Sequence, residues 1–415
     1  MKLLTWGAFY ASATYAVLLW SPNVLGRYNN YTIITILFLL PWFTLWSVIG
    51  RAIINNKEHR LEIFLIISII ILGIFNVILS DNPDKSYIAM RLFLLSGIIA
   101  LWTSIFLFTD TYHVKIFDYF CCLCLFIVTA IELSAYLSKG FPNTLSINIF
   151  ALNPIPLGTL LILLSVGLFR LLSSKKLGAV ITGGVLTCLA LGLVLLTEKR
   201  GSYLAIIAMG LAWLAWKRNK LTLAITTLLV LIALVVPFKR WSIDKSLDQN
   251  IPSQLAILHR LELYPFALHI YLKHPVFGIG LRPYTHGSYL KDYHNHQNLR
   301  LFSQTVKDLQ TFDNMLLTSF VELGTLMTLA YLALMALIII KYCRKLQLGG
   351  QAPLVDLYRL AVLIGWAVHS MTYDSLVFPS INWLFHVQLG ILAAYSPATG
   401  SPSPDHLKLG TSGNA

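Results

Sequence analysis

Residues 311–324, TFDNMLLTSFVELG, set Asp313 and Asn314 at the lip of an apolar run that continues to about residue 340. A carboxylate at that lip can take a proton from an attacking hydroxyl. Either residue can equally cap a helix, because both types accept from the free N–H groups of a first turn. Glu322 follows two turns later, roughly 12 Å further along a helix. An ionisable group at that depth faces a wet cavity or a partner. Arg91 and Glu132, toward the ends of their own apolar runs, are partners the sequence offers. A structural ion pair between helices is the plainer alternative.

Three arginines carry the complementary chemistry. Arg200 stands in TEKRGSYLA, Arg260 beside His259 and Glu262, and Arg282 directly after a Gly-Ile-Gly turn. A guanidinium presents a planar fork of donors that matches phosphate oxygens. Arg200 at a helix end could instead be a snorkelling charge. Arg260 could belong to a local ion pair, although helix neighbours two apart do not face each other. Three such donors in one loop system favour anion handling. His286, His294 and His296 add groups that titrate near neutrality. The spacing His294-x-His296 lacks a third ligand, so no metal is expected and a solvated loop is the plain alternative. Cys121, Cys122 and Cys124 lie in an apolar helix and read as core packing.

The elements that must position these groups are membrane helices. The chain has 415 residues, 57% hydrophobic and 12% charged, with mean hydropathy +0.71. That composition excludes a soluble globular protein and implies an all-α, polytopic helical bundle. About twelve runs are long enough to span, near 3–20, 31–54, 61–79, 87–108, 114–138, 154–173, 178–197, 200–216, 220–237, 315–341, 354–371 and 377–396. The first lacks a small-residue cleavage site and is expected to stay as a helix. With the N-terminus inside, the inner loops hold thirteen Lys and Arg and the short outer loops five. The net charge of +13 is thus largely a topology signal, and a nucleic-acid partner is the weaker explanation.

The expected organisation is helices 1–9 over 1–237, a large periplasmic loop at 238–314 and helices 10–12 over 315–396. A disordered cytoplasmic tail at 397–415 completes the chain. Within the loop, residues 253–273 repeat apolar side chains at helical spacing, including Leu255, Leu258, Leu261, Ala267, Leu268 and Tyr271. That predicts a surface helix, kinked or broken at Pro265 and stopped at His274-Pro275. The loop holds nine positive and six negative residues. Such a basic cap suits an anionic ligand at headgroup level, such as a lipid-linked diphosphate.

In this order the motifs resemble the bacterial O-antigen ligase and Wzy-type polymerase superfamily. Arg260 followed by HPVFGIG at 274–280 is similar to that family's arginine and HPxxGxG turn. The run from Asp313-Asn314 to Glu322-Leu323-Gly324 is similar to its HNxxL…ELG entry to helix 10, with Asp313 where the ligases carry His. The resemblance implies a GT-C-like bundle in the bacterial inner membrane with a periplasmic site. It also implies transfer of a glycan from an undecaprenyl-diphosphate carrier, without metal or other cofactor. The acceptor would be lipid A-core in a ligase, or another lipid-linked repeat in a polymerase. Carried over, Arg200 and Arg260 hold the diphosphate and Asp313 takes the acceptor proton. Arg282, Asn314, His294, His296 and Glu322 would then line the substrate, with a loop His as an alternative base. A flippase of lipid-linked sugars would need inverted repeats and mid-membrane helix breaks, and none is visible in the sequence.

Overall fold

The structure is a computed structural model. It describes residues 2–14, 59–138, 154–196, 200–216, 263–282, 314–349, 354–374 and 378–394, with residues 16, 39, 289, 312 and 376. Every regular element among them is helical. In chain order they are α1 (Lys2–Thr14), α2 (Arg60–Ile78), α3 (Pro83–Leu107), α4 (Thr111–Ser138), α5 (Pro154–Leu172), α6 (Leu177–Leu196) and α7 (Arg200–Trp216). Then follow α8 (263–273), α9 (Met315–Glu322), α10 (Gly324–Gly349), α11 (Leu354–Ser370) and α12 (Pro379–Ala394). The second and ninth expected spans and the tail lie outside the described residues.

Among the described residues, five helices are long and apolar enough to cross a membrane: Arg60–Ile78, Pro83–Leu107, Thr111–Ser134, Leu177–Leu196 and Gly324–Lys345. Pro156–Leu172 and Gly201–Trp216 are shorter apolar helices. On α2 the large side chains of Phe64, Ile71, Ile74 and Ile78 point outward and exposed. A soluble bundle would bury that stripe, whereas hydrocarbon solvates it. Inward, α12 is the core helix, with every residue from Ile381 to Ala394 buried. It packs on α3, which widens to a π-helical stretch at Leu94–Ile99. There Asn382 Nδ2 donates to the Phe93 carbonyl at 3.2 Å and to Ser96 Oγ at 2.8 Å, filling the gap the wide turn opens.

Charge is also buried between helices. Arg359 on α11 pairs with Asp118 on α4 and Asp356 one turn away, and its Nε donates to Gln388 of α12. Arg170 of α5 completes the group with two donors on Asp118 Oδ2, at 3.0 and 2.7 Å. Removing one partner would strand a buried charge, at a cost of about 3–5 kcal/mol. The group ties four helices together at the end of the bundle away from the 263–282 segment.

Two expectations are revised. The apolar run from residue 315 is not one helix: it breaks at Leu323, and Gly324 starts α10 with φ +74°. Glu322 therefore ends a short helix that precedes the span, instead of lying two turns inside it. In α8 the helix runs through Pro265 and stops at His274, but its buried face is Leu263, Phe266, Ala267 and Ile270. Leu268 is exposed. The buried face meets Ile279, Phe312 and Val321 in a small apolar cluster of its own, which fixes the phase of the helix. Residues 253–262 lie outside the described residues.

Candidate functional site

The site is built by docking one short turn. Residues 274–282, HPVFGIGLR, lie between the α2–α3 turn and the end of α9. Ile279 N–H donates to the Val321 carbonyl and Gly280 N–H to the Glu322 carbonyl, both at 3.1 Å. From the other side, Asp81 N–H (3.1 Å) and Ser80 Oγ (3.0 Å) donate to the Ile279 carbonyl. Thr325 N–H donates back to the Pro275 carbonyl at 2.9 Å. Asn76 on α2 locks the seam: its Nδ2 reaches the Phe277 carbonyl at 2.6 Å and the Glu322 carbonyl at 2.7 Å. The backbone groups left over where α9 ends are thus satisfied by the turn.

This stitching explains the glycines. Gly278 and Gly280 have φ +71° and +98°. A Cβ on Gly280 would collide with Ser80 Oγ, and one on Gly278 with the Glu322 carbonyl. Only glycine combines such φ values with contact that close. The GIG and ELG motifs are therefore two halves of one joint.

Arg282 leaves the joint at φ +49°, the left-handed region, where a non-glycine residue is strained. Its N–H donates to Glu322 Oε2 at 2.9 Å. Its side chain lines a narrow cleft, about 30 Å3, with Ser96, Met315, Thr318, Ser319 and Asp374. Arg282 Nε is buried and has no hydrogen-bond partner among the described residues. Glu322 is fully buried. Burial pushes its carboxyl up to about 8, with Asp374 adding to the rise and Arg282 opposing it. Burial likewise raises Asp374, in the α11–α12 turn, to about 6 against the pull of Arg282. The cleft thus brings the Arg282 guanidinium and the Asp374 carboxyl together, with the raised Glu322 carboxyl behind the Arg282 backbone.

Asn314 is a helix cap: its Oδ1 accepts from Leu317 N–H at 3.1 Å, and its Nδ2 lies 3.4 Å from Tyr264 Oη. Tyr289, inside the long loop, donates to the Asp81 carboxylate and sits 3.0 Å from His274 Nε2. It pins the loop to the α2–α3 turn. Arg200 begins α7, and the next residue, Gly201, is packed against Thr372 and His369. The start of α7 therefore adjoins the α11–α12 turn that carries Asp374. Arg260, Asp313, His294 and His296 lie outside the described residues. Glu322 Oε2 faces the Arg282 N–H, with Asp374 as a like-charged neighbour; Arg91 lies 5.5 Å over the Tyr87 ring.

Sequence reasoning missed Asn76 and Asp374. An asparagine near the end of an apolar run is a weak signal. Asp374, in TYDS, looks like ordinary turn chemistry. What was available in both cases was a polar group at the edge of a span.

A bundle of apolar helices with a polar cleft, capped by a docked loop, defines a polytopic membrane protein. Residues 183–332 match the family model described as O-antigen ligase, so the chain is O-antigen ligase-like through that segment. The match runs from α6 through the docked turn into the first part of α10, and it contains Arg282 and Glu322. No curated protein matches the chain.

Proposed function

We propose that this chain is a membrane glycosyltransferase that moves a glycan from an undecaprenyl-diphosphate carrier onto an acceptor sugar. The preferred acceptor is lipid A-core, as in an O-antigen ligase, with the site on the periplasmic face of the bacterial inner membrane. The observation that carries the reading is the HPVFGIGLR turn docked on VELG, inside the family-matched segment, with Arg282 facing a cleft.

In this reading Arg200 and Arg260 clamp the diphosphate and offset the charge that grows on it as the sugar departs. Asp313, or His294 or His296 in its place, takes the proton of the acceptor hydroxyl as its oxygen attacks the anomeric carbon. The bond from that carbon to the carrier phosphate breaks, and undecaprenyl diphosphate leaves with both electrons. Arg282 supplies a further donor at the cleft, and Asp374 with Glu322 holds that arginine in place. No step calls on a metal or a nucleotide sugar.

Deletion of the gene tests this through the ladder of surface glycans on a gel. Core without polymer, together with accumulated lipid-linked chains, is the expected pattern. Core carrying a single repeat would assign the chain to polymerisation, and an unchanged ladder would remove both assignments.

A further inference from the structure

Arg200 and Arg282 come from different elements, and both lie in the family-matched segment. The part that joins those elements lies outside it. It is the end of α11, which runs from His369 through Thr372 to Asp374.

The start of α7 enters this corner in close contact with two neighbours. A Cβ on Gly158 of α5 would strike Ser202, and one on Gly201 would strike Thr372 Oγ1. One on Gly365 of α11 would strike Met209 and crowd the Ala205 carbonyl. With so little side chain between the axes, the first turns of α7 move only if α5 or α11 moves too. Tyr203 Oη donates to the Leu195 carbonyl at 2.8 Å and ties the same turn to the end of α6.

At that level α5 and α11 are clasped through His369. The residue is fully buried, with Nε2 3.1 Å and Nδ1 3.2 Å from Thr159 Oγ1 of α5. Its carbonyl accepts from Thr372 N–H at 2.9 Å and from Thr372 Oγ1 at 2.8 Å. One residue therefore holds the helix pair and also the turn on which Gly201 packs. Farther down, Ser165 Oγ lies 3.1 Å from Tyr358 Oη, and the Arg359–Asp118–Arg170 group closes the inner end. The outer clasp is the one beside Arg200. From Thr372 the chain spans at most about 7 Å to Asp374, which lines the cleft with Arg282.

We infer that His369 is a positioning residue: it seats the first turn of α7 on the α11–α12 turn and so sets Arg200 in register with the Arg282 cleft for one shared anion. The anion rests on the reading of Arg200 as a diphosphate clamp; the seat does not.

Transfer kinetics of the full chain in nanodiscs test this, with Thr159→Val and His369→Gln beside His369→Ala. Valine keeps the outline of threonine and drops the hydroxyl that meets the ring, so Thr159→Val carries the test if His369→Ala does not fold. Thr159→Val and His369→Ala should each lower kcat/KM at least about tenfold, because a misplacement of about 1 Å can cost a hundredfold. His369→Gln, which can still meet Thr159, should recover most of that loss. The decisive readout is coupling to Arg200. In Arg200→Lys, which keeps the charge and loses the fork, Thr159→Val should cost less than about twofold more, since both changes act through one group. An equal loss in both backgrounds would make His369 ordinary packing and overturn the inference, as would normal transfer by Thr159→Val. The same cycle is read on binding, as the rise in melting temperature given by undecaprenyl diphosphate. Thr159→Val should shrink that rise in the parent and leave it unchanged in Arg200→Lys. This binding pattern in a chain that transfers no glycan would uphold the seat and contradict the transferase reading. A chain that transfers glycan but shows the same rise in every variant would overturn the seat alone, and one that neither transfers nor binds would overturn both.

Discussion

Arg282 has two separable properties: a strained left-handed backbone and a guanidinium in the cleft. Replacing it with glycine separates them. Arg282→Gly relieves the strain, worth about 1–2 kcal/mol for an L-residue in that region, and removes the donor. The variant should melt no lower than the parent while glycan transfer falls at least tenfold, about the effect of losing one charged donor. Normal transfer by a stable Arg282→Gly protein would reduce the arginine to part of the joint. Glu322 titrates in a predictable direction. Its carboxyl is raised from 4.5 to about 8, so the native state keeps a proton that the unfolded chain releases. The resulting stability is complete below pH 4.5 and is lost as pH rises through about 8. Glu322→Gln, which mimics the protonated form, should flatten the fall in melting temperature over that window. A variant as pH-sensitive as the parent would contradict this. Of these residues, Glu322, Arg282 and Asn314 were legible in the sequence by type. Asp374 was not, because nothing local distinguishes an acid in a turn from one that faces an arginine across a cleft.

At the scale of elements the joint between the 274–282 turn and the end of α9 decides the geometry. Its motifs were visible separately, each with a turn-like or cap-like look. Their union was not, since Arg282 and Glu322 are 40 residues apart and Asn76 and Glu322 are 246 apart. A single sequence holds no record of such pairings. The break before α10 escaped for a related reason. The run is apolar throughout, and Gly324 alone is a weak stop; the helix ends because the turn offers partners to its last carbonyls. Gly280→Ala tests the joint. The new Cβ meets Ser80 Oγ at a positive φ, and the strain should exceed about 1–3 kcal/mol. Limited proteolysis should then cut near residues 274–282 much faster than in the parent, with transfer lost. Unchanged cleavage would mean that the turn is held elsewhere.

The whole molecule is a membrane bundle whose class was written in its composition. Hydropathy, the basic loops and the polar stretch at 238–314 led to helices and a capping loop without any contact information. What composition could not reveal is how charge is stored inside. Asp118 and Arg359 lie in apolar runs 241 residues apart, and only packing shows that they pair across α4 and α11. The ion group at one end and the docked loop at the other make the intervening helices a rigid frame between two polar regions. One of these is a charge-balanced ion group, and the other is a cleft with a buried guanidinium nitrogen that has no hydrogen-bond partner among the described residues. That asymmetry is why the chemistry is assigned to the loop end.

The most direct test uses the purified full chain in proteoliposomes with an undecaprenyl-diphosphate-linked glycan and lipid A-core. The account predicts that core shifts to glycan-bearing product as undecaprenyl diphosphate appears in equal amount, and that Arg260→Ala and Asp313→Asn each abolish both signals. Donor that stays intact with core present, or that merely crosses the bilayer with its glycan attached, would contradict it.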